Sequence, residues 1–464
     1  MSAGKGFVHP YVPNAAPGPR ARMLAALGRK DVEELYAAIP PPLRFKGRLD
    51  LPPPLPGEHD LRQHLEGLLR QNRSAQDLLV FRGAGCAPHW VPALCDEIAG
   101  RGEFLTAYAG GTYSDHGKNQ ALFEFQSMLG ELVGLEVVSA PTYDYGAAAD
   151  SAVLMACRLT GRKGVLVPAF LARDRLSQMR GFVKPVATLA EVAQDPATGL
   201  LDLGDLKRKL GHDVAAVYVE NPGYLGGIET QVPAIAKLVH AAGALLVVGV
   251  DPLSLGVLAA PGEQGADIVV GDIQPLGIHM YAGGGQAGFI ACRDEERFVA
   301  ELPTTLISAA PAQGGGLGFG SSTHERTSYD KRHAATDYYG TTQWLWGIAA
   351  AVYLGLLGPK GLAEVGLGVM QRARYAAERL AGVKGLQVPS LAGSFFKEFV
   401  VDVAGAGRTP AAVNEDLLDA GIVGGKDLTG EFPGLGQAML VCVTEAHGKA
   451  EIDALVDAVK ESCR

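Results

Sequence analysis

Five short, almost continuously apolar runs lie between residues 133 and 272, and each has the length of a β-strand. A strand that is buried on both faces shows no alternation of apolar and polar positions. Such runs therefore predict a parallel sheet with helices packed on each side. Helical patterns separate several of the runs, as the crossover connections of a parallel sheet require. The runs are VGLEVVSAP (133–141), GVLVPAF (164–170), AAVYVENP (215–222), GALLVVGVDP (243–252) and ADIVVGD (266–272).

The pattern changes on both sides of this block. The first 70 residues are rich in proline, with short amphipathic patches, which predicts an arm that lies along a surface, most simply that of another subunit. After residue 330, two apolar helical stretches at about 341–357 and 362–382 precede a second strand–helix pattern. We therefore predict four parts: an arm (1–70), a large α/β domain (71–330), connecting helices (331–380) and a small C-terminal α/β domain (381–464).

Composition and charge narrow the functional classes. The 464 residues are 47% hydrophobic and carry a net charge of −9, which favours a well-packed globular protein without general affinity for nucleic acid or an anionic membrane. The longest apolar stretch, 344–358, is too short to span a bilayer. Six cysteines form no CxxC pair and no metal-ligand spacing, so we expect a reducing cytoplasmic setting and no metal site. Neither a signal peptide nor a hydrolase or nucleotide-binding motif is predicted.

Candidate chemistry lies where the predicted strands end, because ligands of open α/β sheets bind beyond the carboxyl ends of the strands. Tyr143, Asp144 and Gly146 form a strand end and a glycine turn before a helix, a layout that can offer backbone N–H groups to a phosphate. Asp251 ends a buried strand, where a pyridoxal phosphate (PLP) enzyme places the acid that pairs with the pyridine nitrogen. An ordinary tight turn and an ordinary capping aspartate are the alternatives.

A lysine is missing from this layout. PLP enzymes hold the cofactor as a Schiff base on a lysine, some two dozen residues beyond the aspartate in this arrangement. No lysine occurs from Leu238 through Asp330, and the expected position falls on Gln274–Pro275. Lys331 lies too far along the chain, and Lys426 belongs to the predicted small domain. We therefore predict the PLP-dependent transferase fold (fold type I), with a large parallel-type sheet domain, a small C-terminal α/β domain and a vestigial PLP site.

Several longer motifs carry a resemblance to one family. The sequence resembles subunit 1 of the two-chain glycine dehydrogenase (decarboxylating), the α chain of the glycine-cleavage P-protein, over nearly its whole length. The motifs are NPGYLGGIE (221–229), GALLVVGVDPLSLGVLAAPGEQGADIVVGD (243–272), RFVAELPTTLIS (297–308), FFKEFVVDV (395–403) and the segment 421–453.

The resemblance implies a role without catalytic residues on this chain. In that family the α chain keeps the fold without the Schiff-base lysine, and a β chain carries PLP. The pair, an α2β2 assembly, decarboxylates glycine and passes the aminomethyl group to the lipoylated H-protein. The resemblance thus implies an oxidoreductase subunit that binds no PLP covalently and acts only with its partner.

The sequence departs from the family's pattern around the predicted cleft. An altered ligand or partner would produce such changes, and so would drift in a pocket that holds no cofactor. Two alternatives therefore stay open: a divergent α-like subunit acting on another amino acid or carrier, and a stand-alone homodimeric binding or scaffold protein. The candidate cleft residues at or beside these departures are Tyr108, Tyr145, His279, Asp337, Tyr338 and Tyr339.

Overall fold

The computed structural model describes residues 8–47, 49–105, 116–281, 284, 286–322, 326–340 and 342–464. The chain divides into two units, Met1–Asn72 and Arg73–Arg464, called here the arm unit and the main unit. Tyr108 lies outside the described residues.

The arm unit contains two α-helices, α1 (Pro17–Ala26) and α2 (Glu58–Leu69), and three short 3-10 turns. Within the described part of this unit, none of these elements has a buried residue. On α2, Leu61, Leu65 and Leu68 are exposed and recur at the spacing of one helix face. The arm unit therefore does not bury its own apolar stripe.

The main unit carries the remaining helices and all the strands of the described chain. Its helices are α3 (Ala93–Ala99), α4 (His116–Val133), α5 (Tyr145–Thr160), α6 (Arg173–Val183), α7 (Leu203–Lys209), α8 (Val232–Ala241), α9 (Glu296–Val299), α10 (Trp344–Ala381), α11 (Pro410–Asp419) and α12 (Lys449–Ser462). Its strands are β1 (Leu79–Val80), β2 (Val137–Val138), β3 (Gly164–Pro168), β4 (Thr188–Val192), β5 (Val214–Glu220), β6 (Leu245–Val250), β7 (Ile268–Asp272), β8 (Gly288–Cys292), β9 (Ile307–Pro311), β10 (Leu317–Ser321), β11 (Glu398–Asp402), β12 (Ile422–Val423), β13 (Lys426–Asp427) and β14 (Ala438–Cys442).

A seven-stranded sheet forms the centre of the main unit, in the order β2-β8-β7-β6-β5-β3-β4. The five strands from β7 to β4 are parallel, and β8 and β2 are antiparallel to their neighbours. Four of the five apolar runs of the sequence form the parallel strands β3, β5, β6 and β7. The fifth run contributes only the two-residue strand β2 at one edge. The predicted mixed α/β architecture with a largely parallel sheet is confirmed.

Two apolar cores cover the two faces of this sheet, which explains why its strands lack polar positions. In β5, Val217 and Val219 pack into one core, whereas Tyr218 packs into the other. The same alternation separates Val248 from Val247 in β6. The side chains on both faces of a central strand are thus buried. The sequence of such a strand therefore shows no alternation of apolar and polar positions.

The C-terminal part of the main unit is a smaller α/β layer. Strands β11, β14 and β13 form an antiparallel sheet in that order, covered by α11 and α12. Strand β1, from the start of the main unit, pairs in parallel with β12, and Phe81 packs into the same core. This layer is therefore built from both ends of the main unit.

Helix α10 connects the two layers and breaks at Gly358, which is followed by Pro359. Among the described residues, α10 alone would be long and apolar enough to cross a membrane, judged by length and composition. Much of its length instead packs inside the main unit, as in the core helix of a globular protein.

Candidate functional site

A cleft opens at the carboxyl ends of β5, β6 and β7, where ligands of open α/β sheets bind. Strand β5 ends at Glu220, β6 is followed by Asp251, and β7 ends at Asp272. The first residue of α5, the loop of residues 83–87 and the residues around the start of β11 complete its walls. The cavity that remains between these side chains has a volume of about 70 Å³.

Asp251 is already paired with a cation of this same chain. The Lys397 ammonium, one residue before β11, lies 2.6 Å from Asp251 Oδ2, and the two side chains are only 14% and 15% exposed. Burial alone would lower the pKa of Lys397, but Asp251 outweighs it and raises that pKa well above its ordinary value. Lys397 is therefore a charged partner of Asp251 and not a free amine nucleophile.

The same ammonium contacts His89. Lys397 Nζ lies 3.3 Å from His89 Nε2, and His89 Nδ1 lies 3.0 Å from Glu445 Oε2. An ammonium can only donate, so His89 accepts at Nε2 and donates from Nδ1 to Glu445, as a neutral imidazole does. Glu445 also accepts the Trp90 N–H at 2.8 Å. Burial would raise the pKa of Glu445, but the hydrogen bonds from His89 and from this N–H outweigh it and lower the pKa below its usual value.

A second ion pair fills the neighbouring part of the cleft. Arg175 on α6 pairs with Glu220, and its guanidinium lies 3.9 Å from the centre of the Tyr145 ring. Glu220 also accepts the Tyr218 hydroxyl at 2.7 Å. Burial raises the pKa of Tyr145 and Tyr218 far above their usual range, so both hydroxyls stay protonated.

The position expected for a Schiff-base lysine is occupied by a neutral, satisfied side chain. The Gln274 amide is buried and donates to the carbonyls of Ala87, at 3.2 Å, and Ile278, at 2.9 Å. The Gln274 N–H donates to Asp272 at 2.8 Å. Burial raises the pKa of Asp272 to about 7, so this carboxyl is partly protonated at neutral pH.

The turn before α5 is capped by its own carboxylate. Asp144 is the N-cap of α5, and its Oδ1 accepts the Ala147 N–H at 2.7 Å. A β-carbon on Gly146 would lie 2.6 Å from Gln178, so this glycine allows the helix to approach α6. The helix N-terminus that could receive a phosphate thus faces an aspartate instead.

The residues present do not suit PLP. Asp251 already has a cation, a carboxylate caps the helix that a phosphate would need, and no lysine occurs near the end of β7. Lys426, which belongs to the smaller layer, pairs with Glu431 at 2.6 Å. An adjoining cavity of about 370 Å³ opens at the N-terminus of α5, whereas the cavity between the strand ends measures about 70 Å³, far below the ~300 Å³ at which small-molecule pockets begin. Four carboxyl groups and two cations line it, a balance that opposes a phosphate dianion.

The candidate cleft residues occupy three different places. Tyr145 lines the cleft, as do Asp251, Gln274 and Pro275 of the vestigial set. Asp337 and Tyr339 lie behind α5, where the Ser151 hydroxyl is 2.7 Å from Asp337 and 2.6 Å from the Tyr339 hydroxyl. These two anchor the segment after residue 326 to α5, and their part in ligand binding stays a prediction.

The other candidates lie apart from the cavity. Tyr143 packs against the Tyr339 ring at 4.8 Å. The exposed His279 pairs with Asp96 at 3.0 Å, and Tyr338 stacks on Tyr329. Any role for them would concern the surface around the cleft.

Asp150, one turn into α5, is fully buried. Neither of its carboxylate oxygens has a hydrogen-bond partner among the described residues. Burial raises its pKa from 3.8 to about 7, an effect that the neighbouring Gln178 only partly offsets. The folded chain therefore keeps a proton that the unfolded chain releases above pH 3.8, so this group costs stability as pH rises through 7.

Asp150→Asn is expected to raise the free energy of unfolding at pH 8 by about 2–4 kcal/mol, because the amide needs no proton to stay neutral. The gain should shrink as pH is lowered towards 4. Thermal unfolding of both proteins across pH 4–8 measures this difference. Asp419→Asn, a substitution at an exposed position, serves as control. Its stability should change with pH in parallel with that of wild type. Equal stability of wild type and Asp150→Asn at pH 8 would contradict the raised pKa of Asp150.

Sequence reasoning missed the cations of the cleft. Lys397 and Arg175 were not singled out, although FFKEFVVDV places a Lys–Glu pair directly before an apolar strand. A charged pair at that position is the one signal that could have drawn attention to Lys397. Its partner Asp251 belongs to a distant part of the sequence.

The fold and the cleft define a member of the PLP-dependent transferase fold type I class. A sphingosine-1-phosphate lyase of Burkholderia pseudomallei has this fold at 15% identity and a TM-score of 0.64, with 90% of this chain and 93% of that chain covered. The model of the glycine cleavage system P-protein family matches residues 11–459. The chain belongs to this P-protein family.

Relatives at higher identity support the same family. The chain is 35% identical to a probable glycine dehydrogenase (decarboxylating) subunit 1 of Staphylothermus marinus, with 97% of each chain covered. It is 37% identical to the protein of the same description from Geobacillus kaustophilus, over 97% of this chain and 98% of that one. A crystal structure of glycine decarboxylase (P-protein) in inhibitor-bound form matches with a TM-score of 0.81 and 35% identity, covering 98% of this chain and 100% of the other.

Proposed function

We propose that this chain is the α-type subunit of a glycine decarboxylase, an oxidoreductase that works only with a second, PLP-bearing β-type subunit. The observation that carries the proposal is the filled cleft: Asp251 is neutralised by Lys397, and Gln274 stands at the lysine position. A chain of this family with such a cleft needs the cofactor to be supplied by another chain. The description "subunit 1" of its relatives supports a second chain.

The arm unit supports pairing. Exposed leucines on one face of α2 and exposed residues such as Tyr11 and Phe45 leave an apolar surface that the unit does not bury itself. Exposed apolar surface of this kind is typical of a protein–protein contact. We propose that the β-type subunit covers it, in an α2β2 assembly that receives the lipoylated H-protein in the cytoplasm.

Co-expression with a PLP-bearing P-protein β-type subunit tests the proposal. A stable heteromer is expected to co-purify and to exchange the carboxyl group of glycine with labelled bicarbonate in the presence of lipoylated H-protein. Each chain alone should show at most a hundredth of this exchange. A stable pair that leaves glycine untouched would favour a divergent subunit acting on another amino acid. Failure to pair, with a homodimer of this chain in solution, would favour the stand-alone binding protein.

The leucine stripe gives a sharper form of the same test. Leu61→Glu with Leu65→Glu is expected to weaken pairing by at least 100-fold, because each buried leucine contributes roughly 1.5–3 kcal/mol. The matched control is Gln63→Glu, which adds charge to the opposite face of α2 and should leave pairing unchanged. Analytical ultracentrifugation of the mixed chains measures both.

A further inference from the structure

Lys397 pairs with Asp251, an acid placed like the one that pairs with the ring nitrogen in PLP enzymes. The partner of a pyridinium nitrogen in PLP enzymes is an acid placed like Asp251, at the end of a buried strand beside the cleft. Here the Lys397 ammonium is 2.6 Å from that carboxylate. A buried carboxylate without a partner is strongly destabilising, so a chain that binds no cofactor needs another positive charge at this point.

The ammonium is fixed from its other side as well. It donates to His89 Nε2 at 3.3 Å, and His89 in turn donates to Glu445. The result is a buried chain of four groups, Asp251–Lys397–His89–Glu445, in which two negative charges flank one positive charge and one neutral imidazole. Both ends are anchored to backbone N–H groups, Asp251 by Leu253 and Glu445 by Trp90.

This chain of groups joins the two layers of the main unit. Asp251 follows β6 of the seven-stranded sheet, whereas Lys397 precedes β11 and Glu445 follows β14 of the smaller sheet. Glu398, the residue after Lys397, accepts the Ala84 N–H at 2.6 Å. The Asp251–Lys397 pair is therefore the link in this chain of groups that crosses from the large sheet to the smaller layer.

We propose that Lys397 is a built-in counterion that replaces the ring cation of a cofactor, neutralising Asp251 and holding the smaller layer closed on the large sheet. The charge of Asp251 is therefore balanced within the subunit, without a ligand. The counterion role rests on the same Asp251–Lys397 pair as the proposed function and adds what that pair does for the subunit, whichever substrate the complex has.

The first test separates charge from packing in the full-length chain. Lys397→Met keeps most of the side-chain volume but leaves Asp251 buried and unpaired, so the melting temperature should fall by about 4–6 °C. Lys397→Met with Asp251→Asn removes both charges and should recover most of the loss. If Lys397→Met melts within 1 °C of wild type, or if the double variant is no more stable than the single one, the counterion role is overturned.

The second test uses chemical rescue. In Lys397→Ala, ethylammonium or propylammonium at millimolar concentration should raise the melting temperature along a saturable curve, because the vacated position binds a small primary ammonium. Tetramethylammonium at the same ionic strength, which cannot donate a hydrogen bond, should not. A response that is equal for all these cations, or absent, overturns the proposal.

A third test does not depend on the folding of Lys397→Ala, because it measures the reactivity of Lys397 itself in Asp251→Asn. Asp251→Asn keeps the lysine but removes its negative partner, so a larger fraction of Lys397 becomes the neutral amine. We expect its reductive methylation by formaldehyde and borohydride, followed by mass spectrometry, to be at least tenfold faster than in wild type. An unchanged labelling rate would overturn the pairing. Loss of the glycine–bicarbonate exchange with all these readouts intact would instead count against the proposed function.

Discussion

Gly226→Ala is expected to destabilise the main unit by roughly 4 kcal/mol or more, enough to prevent accumulation of soluble protein at 37 °C. Gly226 has a φ of +87°, and a β-carbon there would lie 1.8 Å from the carbonyl oxygen of Glu398. The clash is between backbone atoms, so no side-chain rotation relieves it. The Gly226 carbonyl also accepts the Phe396 N–H at 3.2 Å, which places the residue on the seam between the two layers.

The adjacent glycine provides the control. A β-carbon on Gly227 meets nothing within 4 Å, and its backbone is not in the left-handed region. Gly227→Ala should therefore remain soluble and melt within about 2 °C of wild type. Soluble yield and thermal unfolding of the two variants, prepared in parallel, decide the matter. Equal soluble yield and equal melting temperature of Gly226→Ala and Gly227→Ala would contradict this prediction. The two layers would then be able to move apart at Gly226 without loss of stability.

Arg175→Met is expected to cost about 3–5 kcal/mol, because it leaves the Glu220 carboxylate buried without a cation. The Glu220 side chain is only 4% exposed, and Tyr218 is its other side-chain partner among the described residues. The stacking of the guanidinium on Tyr145 is lost at the same time.

A double-mutant cycle isolates the ion pair. Arg175→Met with Glu220→Gln removes both charges and should be more stable than Arg175→Met by about 2 kcal/mol or more. Arg180→Met, which removes an arginine from the same helix with a largely exposed side chain, serves as control and should cost less than about 1 kcal/mol. Urea unfolding of wild type, Arg175→Met, Glu220→Gln, the double variant and Arg180→Met gives these differences. Additive effects of the two cleft substitutions would contradict a coupled pair.

The sequence predicts the parallel part of the sheet because a strand that is buried on both faces is apolar along its whole length. Strand β4 (Thr188–Val192) escaped prediction for the converse reason. It lies at the sheet edge, and its side chains alternate between half-buried and exposed positions until Val192, so it forms no apolar run. The run 133–141 was read as a full strand, yet only Val137 and Val138 pair, because the sheet ends there.

The sequence predicts where the cleft lies, but not which side chains fill it. Strand ends place Asp251 and Asp272 by local pattern, and the absent lysine can be read directly from the letters. The cations that fill the cleft reach it from other parts of the fold, Arg175 from α6 and Lys397 from the edge of the smaller layer. Such pairings depend on which elements meet after folding, and no spacing along the chain encodes them.

The parallel pairing of β1 with β12 has a consequence for the order in which the molecule is made. Leu79 and Val80 are synthesised long before their partners Ile422 and Val423. The seven-stranded sheet can assemble while the chain grows, whereas the smaller layer must wait until β12 and β14 have been made. Phe81 joins the core of that layer only then. A nascent chain that stalls before residue 422 therefore exposes an unpaired apolar strand, which is covered only once residues 422 and 423 are available to pair with it.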